Sequence, residues 1–180
     1  MAGAATIRAA TLEDGDAIDQ LMKLSTRDFF PGFYDAAQTA SSVRYIAAVD
    51  RTLLTDGTYY VIEADGEMVA CGGWSRRGKL YMGSHSAADD ARIIDPATEP
   101  ARVRAMFVRP DWTRRGLGTM ILEACQAAAR AEGFTSLALM ATLPGVPLYE
   151  RFGFRLLEQT HISMPDGTTI GTALMDKLIS

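Results

Sequence analysis

The sequence predicts an α/β (α+β) fold in which helices flank one mixed β-sheet, within a single domain over residues 1–180. The 180 residues, 48% of them hydrophobic and 22% charged, suit one globular domain with a buried core. Segments with strand-like and helical patterns follow one another in the order β-α-α-β-β-β-α-β-α-β-β. Helices between strands imply parallel neighbours and tight turns imply antiparallel ones, so the sheet is predicted to be mixed.

The first half of the chain is predicted to contain two helices and three strands. Thr11 followed by Asp14 is a capping-box pattern that opens the first helix. A hairpin turn is predicted at Asp65 and Gly66. The predicted elements are a strand at Thr6–Ala9, the helix that follows Thr11, a second helix over Ser42–Leu54, and strands at Thr58–Ala64 and Glu67–Trp74.

Four aromatic residues follow the first helix, around a break at Pro31 and Gly32. Two interpretations fit them: core packing between two helices, or a mobile apolar lip over a substrate pocket. We favour core packing. The four residues are Phe29, Phe30, Phe33 and Tyr34.

The second half of the chain begins with a long loop over residues 83–100 that is rich in Ser, Ala and Asp. Such a loop either borders a binding site or covers it. The elements predicted after it are a strand at Ala101–Arg109, a helix at Gly116–Ala131, a strand at Ser136–Thr142, a short helix at Val146–Phe152, and two strands, Phe154–Met164 and Thr168–Lys177.

Charge and cysteine content narrow the classes of function. With 18 Lys and Arg residues against 22 Asp and Glu residues, the formal net charge is −4, which disfavours nucleic acid as a partner because such binding depends on phosphate contacts. No apolar stretch of membrane-spanning length is present, and two cysteines do not form a disulfide framework, so a cytoplasmic protein without a membrane partner is expected. The two histidines lie far apart in the sequence, so no metal site is predicted.

The strongest local signal runs from Val108 to Thr119, where a predicted strand passes through a glycine-containing loop into a helix. The first turn of a helix leaves backbone N–H groups unpaired and carries the positive end of the helix dipole. Gly116 and Gly118 would let an anion approach these groups closely, and Arg114 and Arg115 add positive charge. The pattern therefore predicts a diphosphate site.

Two motifs, in this order, resemble the GNAT superfamily of N-acetyltransferases. That family's Q/R-x-x-G-x-G/A motif aligns with residues 113–118, with Thr113 in place of Gln or Arg. Residues 147–154 are similar to its second hallmark, an aromatic residue on a short helix before a glycine and an apolar residue. The resemblance extends to the element order over nearly the whole chain, and it implies a GNAT fold with strands four and five splayed apart.

The resemblance also implies a position for acetyl-CoA, in the gap between the strands at Ala101–Arg109 and Ser136–Thr142. Its pantetheine amides are expected to pair with the backbone of Met106, Phe107 and Val108. The residues expected at its diphosphate are Arg114, Arg115, Gly116, Leu117, Gly118 and Thr119.

Acetyl transfer needs a neutral amine, stabilisation of negative charge on the thioester oxygen, and a proton for the departing thiolate. A backbone N–H near Val108 suits the second task, and the resemblance assigns the third to Tyr149. Many family members have a glutamate where this sequence has Arg104, so no base carries over. Glu99 is the catalytic carboxylate we expect, with Glu63 as a further candidate. Arg102 and Arg104 share one strand face. Either they form an exposed, paired stripe or, if Arg104 points into the acceptor pocket, they predict a substrate with a carboxylate near its amine.

The resemblance thus implies an enzyme that transfers acetyl from acetyl-CoA to a primary amine of a small molecule or peptide, by direct attack in a ternary complex and without a metal. Cys71 and Cys125 fall within a predicted strand and helix, so they are expected to be buried and not nucleophilic. The alternative is a non-catalytic module that binds or senses acetyl-CoA. The last two strands offer an edge for a homodimer.

Overall fold

The computed structural model describes residues 3–81 and 90–179, which form a seven-stranded sheet with helices on both faces. The strands are β1 (Thr6–Ala9), β2 (Tyr59–Ala64), β3 (Glu67–Ser75), β4 (Ala101–Val108), β5 (Ser136–Thr142), β6 (Arg155–Ser163) and β7 (Thr169–Leu178). The helices are α1 (Gly15–Phe29), α2 (Ala36–Tyr45), α3 (Arg51–Asp56), α4 (Leu117–Ala131) and α5 (Val146–Phe152).

The strand order is β1-β2-β3-β4-β5-β7-β6, and every neighbouring pair is antiparallel except β4 and β5. This arrangement confirms the predicted mixed sheet. The parallel pair is in register at two positions only, Ala101 with Leu137 and Arg102 with Ala138. Beyond Arg102 the two strands separate, which confirms the splay that the family resemblance implied. Strand β4 therefore has polar backbone groups beyond Arg102 that β5 does not pair.

A β-bulge interrupts β4 inside the separated part. Cys71 pairs with Phe107 and Gly73 pairs with Arg104, so Ala105 and Met106 share a single position opposite β3. The φ angle of Ala105 is 52°, in the left-handed region that non-glycine residues rarely occupy. The bulge changes the direction of the backbone at the point where β4 leaves β5.

Apolar side chains alternate between the two faces of the sheet. On one face, Ile62 of β2 joins the cluster that contains Ile121 and Cys125 of α4. On the other face, Val61 joins the cluster that contains Met22 of α1. The central strands are thus covered on both sides, which fixes the sheet against the helices.

Two details of the sequence prediction are wrong. Residues 42–54 are not one helix: α2 ends at Tyr45, and α3 starts after Asp50, whose side chain accepts a hydrogen bond from the Thr52 N–H at 3.1 Å. An N-cap of this kind begins a new helix, and the continuous apolar pattern hid it. The predicted capping box at Thr11 and Asp14 is present, but it opens a short 3₁₀ turn, and α1 begins after it.

Part of the predicted loop over residues 83–100 lies outside the described residues. The described remainder, residues 90–100, returns to the sheet: Ile93 forms an isolated bridge with Arg77, and Ile94 is buried. In the described ranges no helix is long and apolar enough to span a membrane.

Candidate active site

Two cavities meet at the split between β4 and β5. The larger has a volume of about 640 Å³ and is bounded by α1, the bulged half of β4, the loop before α4, and α5. The smaller, about 80 Å³, lies among β4, β5 and the ends of neighbouring elements. Four residues line both cavities: Met106, Phe107, Thr142 and Tyr149. The two cavities therefore adjoin at the split.

The loop before α4 forms one end of the larger cavity. Thr113, Arg114 and residues 116–119 all line it. Gly116 is the N-cap of α4, with φ 77° and ψ 11°, and Arg114 also has a positive φ of 61°. Successive turns of this kind leave the first N–H groups of a 15-residue helix directed at the cavity end. This geometry suits a diphosphate, and the diphosphate site stays a prediction.

Glycine is required at two positions of this loop, and the structural reason differs between them. A Cβ at Gly116 would have no heavy atom within 4 Å, so the requirement there is the left-handed backbone. A Cβ at Gly118 would lie 2.5 Å from Cδ2 of Leu148. Gly118 is thus required for the contact between α4 and α5, whereas the sequence argument had assigned it to the approach of an anion.

The basic residues near the loop divide into two groups. Arg114 lines the larger cavity, and so does Arg151 on α5, which the sequence argument missed although it follows Tyr149 by only two residues. Arg115 stacks over the Trp112 ring at 4.3 Å and is not among the lining residues. Arg109 forms ion pairs with Glu67 and Asp111. Positive charge at the cavity therefore comes from Arg114 and Arg151.

The separated part of β4 presents backbone groups to the split. The Arg109 N–H donates to the Val69 carbonyl at 2.9 Å and so faces β3. Because N–H groups alternate in direction along a strand, the Val108 N–H faces the other way, toward the split. Met106, Phe107 and Val108 all line the larger cavity, and their pairing with pantetheine stays a prediction.

Tyr149 lies where the cavities meet. Its ring packs edge-on against Phe154, with centroids 5.8 Å apart, and a Cβ at Gly145 would lie 2.9 Å from its Cε2 atom. Burial, with a smaller contribution from Cys125, raises the pKa of the Tyr149 hydroxyl above its ordinary value. The phenol therefore keeps its proton at neutral pH and can act as a donor.

Arg104 reaches the smaller cavity from β4, and its side chain is only 2% exposed. Its Nη2 donates to Oδ2 of Asp50 at 3.1 Å, and Lys79 Nζ lies 3.5 Å from the same oxygen. Arg104 was expected to form part of an exposed, paired stripe with Arg102. It is instead buried, because α3 covers this face and supplies the carboxylate that balances its charge.

Neither predicted acidic residue is among those lining the two cavities. Glu99 accepts two hydrogen bonds from Arg92, at 3.0 and 2.8 Å, and one from the Asp95 N–H at 2.8 Å. The Arg92 guanidinium, and then the Asp95 N–H, lower the pKa of Glu99 to about 2. Glu63 pairs with Arg8 on the edge strand β1. A carboxylate with so low a pKa is a weak base, and the role of Glu99 stays a prediction.

The aromatic residues at the end of α1 include two core residues, as the favoured interpretation expected, and two that border the larger cavity. Phe30 and Tyr34 are buried, and the Tyr34 hydroxyl accepts from the Leu143 N–H at 2.9 Å and donates to the Gly171 carbonyl at 2.8 Å. Phe29 and Phe30 also form a wall of the larger cavity, whereas Phe33 is exposed.

The two cysteines are fully buried, as expected. Burial raises the pKa of the Cys71 thiol to about 12 and moves that of Cys125 in the same direction. Thiols of this kind are not nucleophiles at neutral pH. Within residues 3–81 and 90–179, no cluster of three His, Cys, Asp or Glu side chains could hold a metal ion.

A family model described as Acetyltransferase (GNAT) family matches residues 18–154. The chain belongs to the GNAT acetyltransferase family. The match begins within α1 and ends just after α5, so it includes the split, the loop before α4 and all the residues that line the larger cavity.

Solved structures with the GNAT fold cover nearly all of the chain. A GCN5-related N-acetyltransferase from Rhodopseudomonas palustris has a TM-score of 0.75 at 16% identity, covering 99% of this chain and 98% of its own. The PaiA N-acetyltransferase from Thermoplasma acidophilum, solved with coenzyme A, has a TM-score of 0.67 at 15% identity, and the match covers 97% of this chain and 99% of that one. YncA, a putative acetyltransferase from Salmonella typhimurium solved with acetyl-CoA, has a TM-score of 0.64 at 16% identity, and the match covers 98% of this chain and 95% of that one. At these identities the likeness concerns the fold.

Proposed function

We propose that this protein is an acetyl-CoA-dependent N-acetyltransferase that acts on a primary amine by direct attack in a ternary complex. One observation carries the proposal: two cavities meet at the split in the sheet, and Tyr149 lies on the wall of both. The larger cavity ends at a phosphate-binding loop, and the smaller has room for a small acceptor group. A protein that only bound acetyl-CoA would need the first space without the second.

The residues of the larger cavity fit acetyl-CoA. When bound, acetyl-CoA supplies the thioester carbonyl that the amine attacks, with the CoA thiolate as leaving group. The start of α4, Arg114 and Arg151 would hold the phosphates, and the unpaired backbone at Val108 would hold the pantetheine amides. The Thermoplasma and Salmonella proteins of the same fold were crystallised with CoA and acetyl-CoA, which supports this assignment.

The chain's own groups divide the remaining tasks. Backbone N–H groups at the split stabilise the negative charge that develops on the thioester oxygen. The Tyr149 hydroxyl donates its proton to the sulfur as the C–S bond breaks, and it regains a proton from the nitrogen of the new amide bond. Proton donation by a phenol of raised pKa is effective only at short range, which the buried position of Tyr149 beside the split allows.

The acceptor amine must reach the split in its neutral form. No acidic side chain occurs among the described residues that line the two cavities, so the amine's own pKa sets its neutral fraction. At pH 7.5 an α-amino group with a pKa near 8 is about one quarter neutral, against about 0.1% for a lysine side chain. A free amino acid has a higher amine pKa because its own carboxylate is ionised, so we propose the α-amine of a peptide as the acceptor.

The lack of an acidic side chain among the described residues that line the two cavities favours a second function, a module that binds acetyl-CoA without turnover. CoA release from acetyl-CoA across a panel of amino acids, peptides, polyamines and lysine derivatives separates the two. Release with α-amines is the expected result. Tight acetyl-CoA binding without release for any amine would instead establish the binding module.

Tyr149→Phe tests whether the Tyr149 hydroxyl is the proton donor for the departing thiolate. The variant is expected to lower kcat by about 100-fold, the loss typical of a missing proton donor, while the Kd of CoA stays within about twofold. Tyr45→Phe, in α2 and outside both cavities, is the matched control and should match the unaltered protein. Equal kcat for Tyr149→Phe and the unaltered protein would remove Tyr149 from the mechanism.

A further inference from the structure

Tyr59 lies on β2, which β3 separates from β4, and it lines neither cavity. It is almost completely buried, and its hydroxyl donates a hydrogen bond of 2.5 Å to the carbonyl of Ala105. The two residues are 46 positions apart and belong to strands that are not neighbours, since β3 lies between β2 and β4. The phenol thus crosses behind β3 to reach the bulge.

The bulge is the one place in β4 where the backbone adopts an unfavourable conformation. Ala105 has φ 52°, which an L-residue with a Cβ adopts only when its surroundings hold it there. The Tyr59 hydrogen bond fixes the direction of the Ala105 carbonyl. In a trans peptide the C=O and the following N–H point in opposite directions, so the bond also fixes the N–H of Met106.

Met106 lines both cavities at the split. Its N–H points away from Tyr59, because the Ala105 carbonyl points toward it. If the peptide between Ala105 and Met106 turned over, a carbonyl would replace this N–H. A carbonyl repels a developing oxyanion, whereas an N–H stabilises it.

We propose that Tyr59 is a positioning residue that holds the bulge so that the Met106 N–H is presented to the thioester oxygen. The proposal rests on the acetyl-transfer function, because it names the donor that this reaction uses. Tyr59 itself touches no substrate. Its effect reaches the reaction through one peptide unit.

The kinetic test uses Tyr59→Phe, which removes the hydroxyl and keeps the ring. The expected result is a fall in kcat of at least about tenfold, toward the loss seen when an oxyanion donor is removed, with the KM for acetyl-CoA within about threefold. Tyr60→Phe is the matched control, because Tyr60 is the next residue of β2 and its side chain joins the cluster on the opposite face of the sheet. Its kcat should stay within about twofold of the unaltered protein.

A second variant separates positioning from general damage to the core. Glycine adopts a positive φ without strain, so Tyr59→Phe combined with Ala105→Gly is expected to regain at least about fivefold of the lost kcat. A purely structural role for the phenol predicts no such recovery, since Ala105→Gly adds no contact. Thermal unfolding of each variant shows that the compared proteins are folded.

A readout independent of turnover is the amide resonance of Met106 in protein labelled with [¹⁵N]methionine, assigned by its loss in Met106→Leu. In the unaltered protein this resonance is expected to differ between the CoA and acetyl-CoA complexes, and in Tyr59→Phe the difference should disappear. If no protein transfers acetyl but this pattern is seen, acetyl transfer fails and the role of Tyr59 stands. Tyr59→Phe with unchanged kcat, or with an unchanged Met106 response, would overturn the proposal.

Discussion

Replacing Asp50 by Asn is expected to destabilise the protein strongly, because it removes the carboxylate that balances a buried guanidinium. Arg104 is 2% exposed and Asp50 10% exposed, and Lys79 shares the same carboxylate oxygen. Breaking a buried ion pair by removing one partner costs about 3–5 kcal/mol. Because Asp50 retains some contact with solvent, we expect the lower end, about 3 kcal/mol, or a fall in Tm of about 6–12 °C.

The substitution isolates charge from helix capping. Asp50 Oδ1 accepts from the Thr52 N–H, and asparagine keeps that acceptor at the N-cap of α3. Asp35→Asn is the matched control. Asp35 caps α2 by accepting from the Gln38 N–H at 2.8 Å and is exposed, so its free energy of unfolding should change by less than about 0.5 kcal/mol.

The free energy of unfolding should depend on pH, in a direction set by the ion pair of Asp50 and Arg104. Burial alone would raise the pKa of Asp50, but the charges of Arg104 and Lys79 outweigh it and hold the pKa below its ordinary value. The stabilisation is therefore complete above about pH 4 and is lost as the pH falls through the depressed pKa. Urea unfolding of the unaltered protein and of Asp50→Asn, at pH 7 and near pH 3, measures the loss of stability and its dependence on pH. A difference below about 1 kcal/mol at pH 7, or one that does not shrink in acid, would refute the reasoning.

Two further predictions concern the site itself. Glu99→Gln should keep kcat/KM within about twofold, because this carboxylate pairs with Arg92 and is not among the cavity-lining residues; a loss of about tenfold or more in the CoA-release assay would make it the base. Gly118→Leu should raise the Kd of CoA by at least about tenfold in calorimetry, since even its Cβ would meet Leu148, and Leu148→Ala in the same chain should restore part of the affinity. No recovery in that double variant would contradict the assigned contact.

The order of elements was predictable because a local sequence pattern indicates each helix and strand. The strand at Ser136–Thr142 and the helix at Val146–Phe152 have the predicted bounds. The parallel pair and the splay required the family resemblance, since spacing alone does not say which strands meet. Residues 42–54 show the limit of the local pattern: their apolar residues continue at helical spacing, while the cap at Asp50 starts a second helix.

Side chains that reach the site from distant parts of the sequence left no local signal. The carboxylate that balances Arg104 is 54 positions away, on Asp50 at the N-cap of α3, so the sequence left Arg104 as a surface residue or a substrate-binding residue. Arg151 left no signal either, because residues two positions apart in a helix lie about 200° apart around its axis, yet Arg151 lines the larger cavity together with Tyr149.

Glu99 and Glu63 are the carboxylates that the sequence offered as catalytic. Both form ion pairs with arginines, and neither is among the residues that line the two cavities. The groups that do surround the split are of another kind: backbone N–H groups of β4, the start of a helix, and one buried phenol. Backbone groups carry no residue-type signature, because any side chain can stand on them. What places them here is the separation of β4 from β5 together with the left-handed Ala105. A site of this composition is recognised from the path of the chain, and the residues that control it, such as Tyr59, are those that hold that path in place.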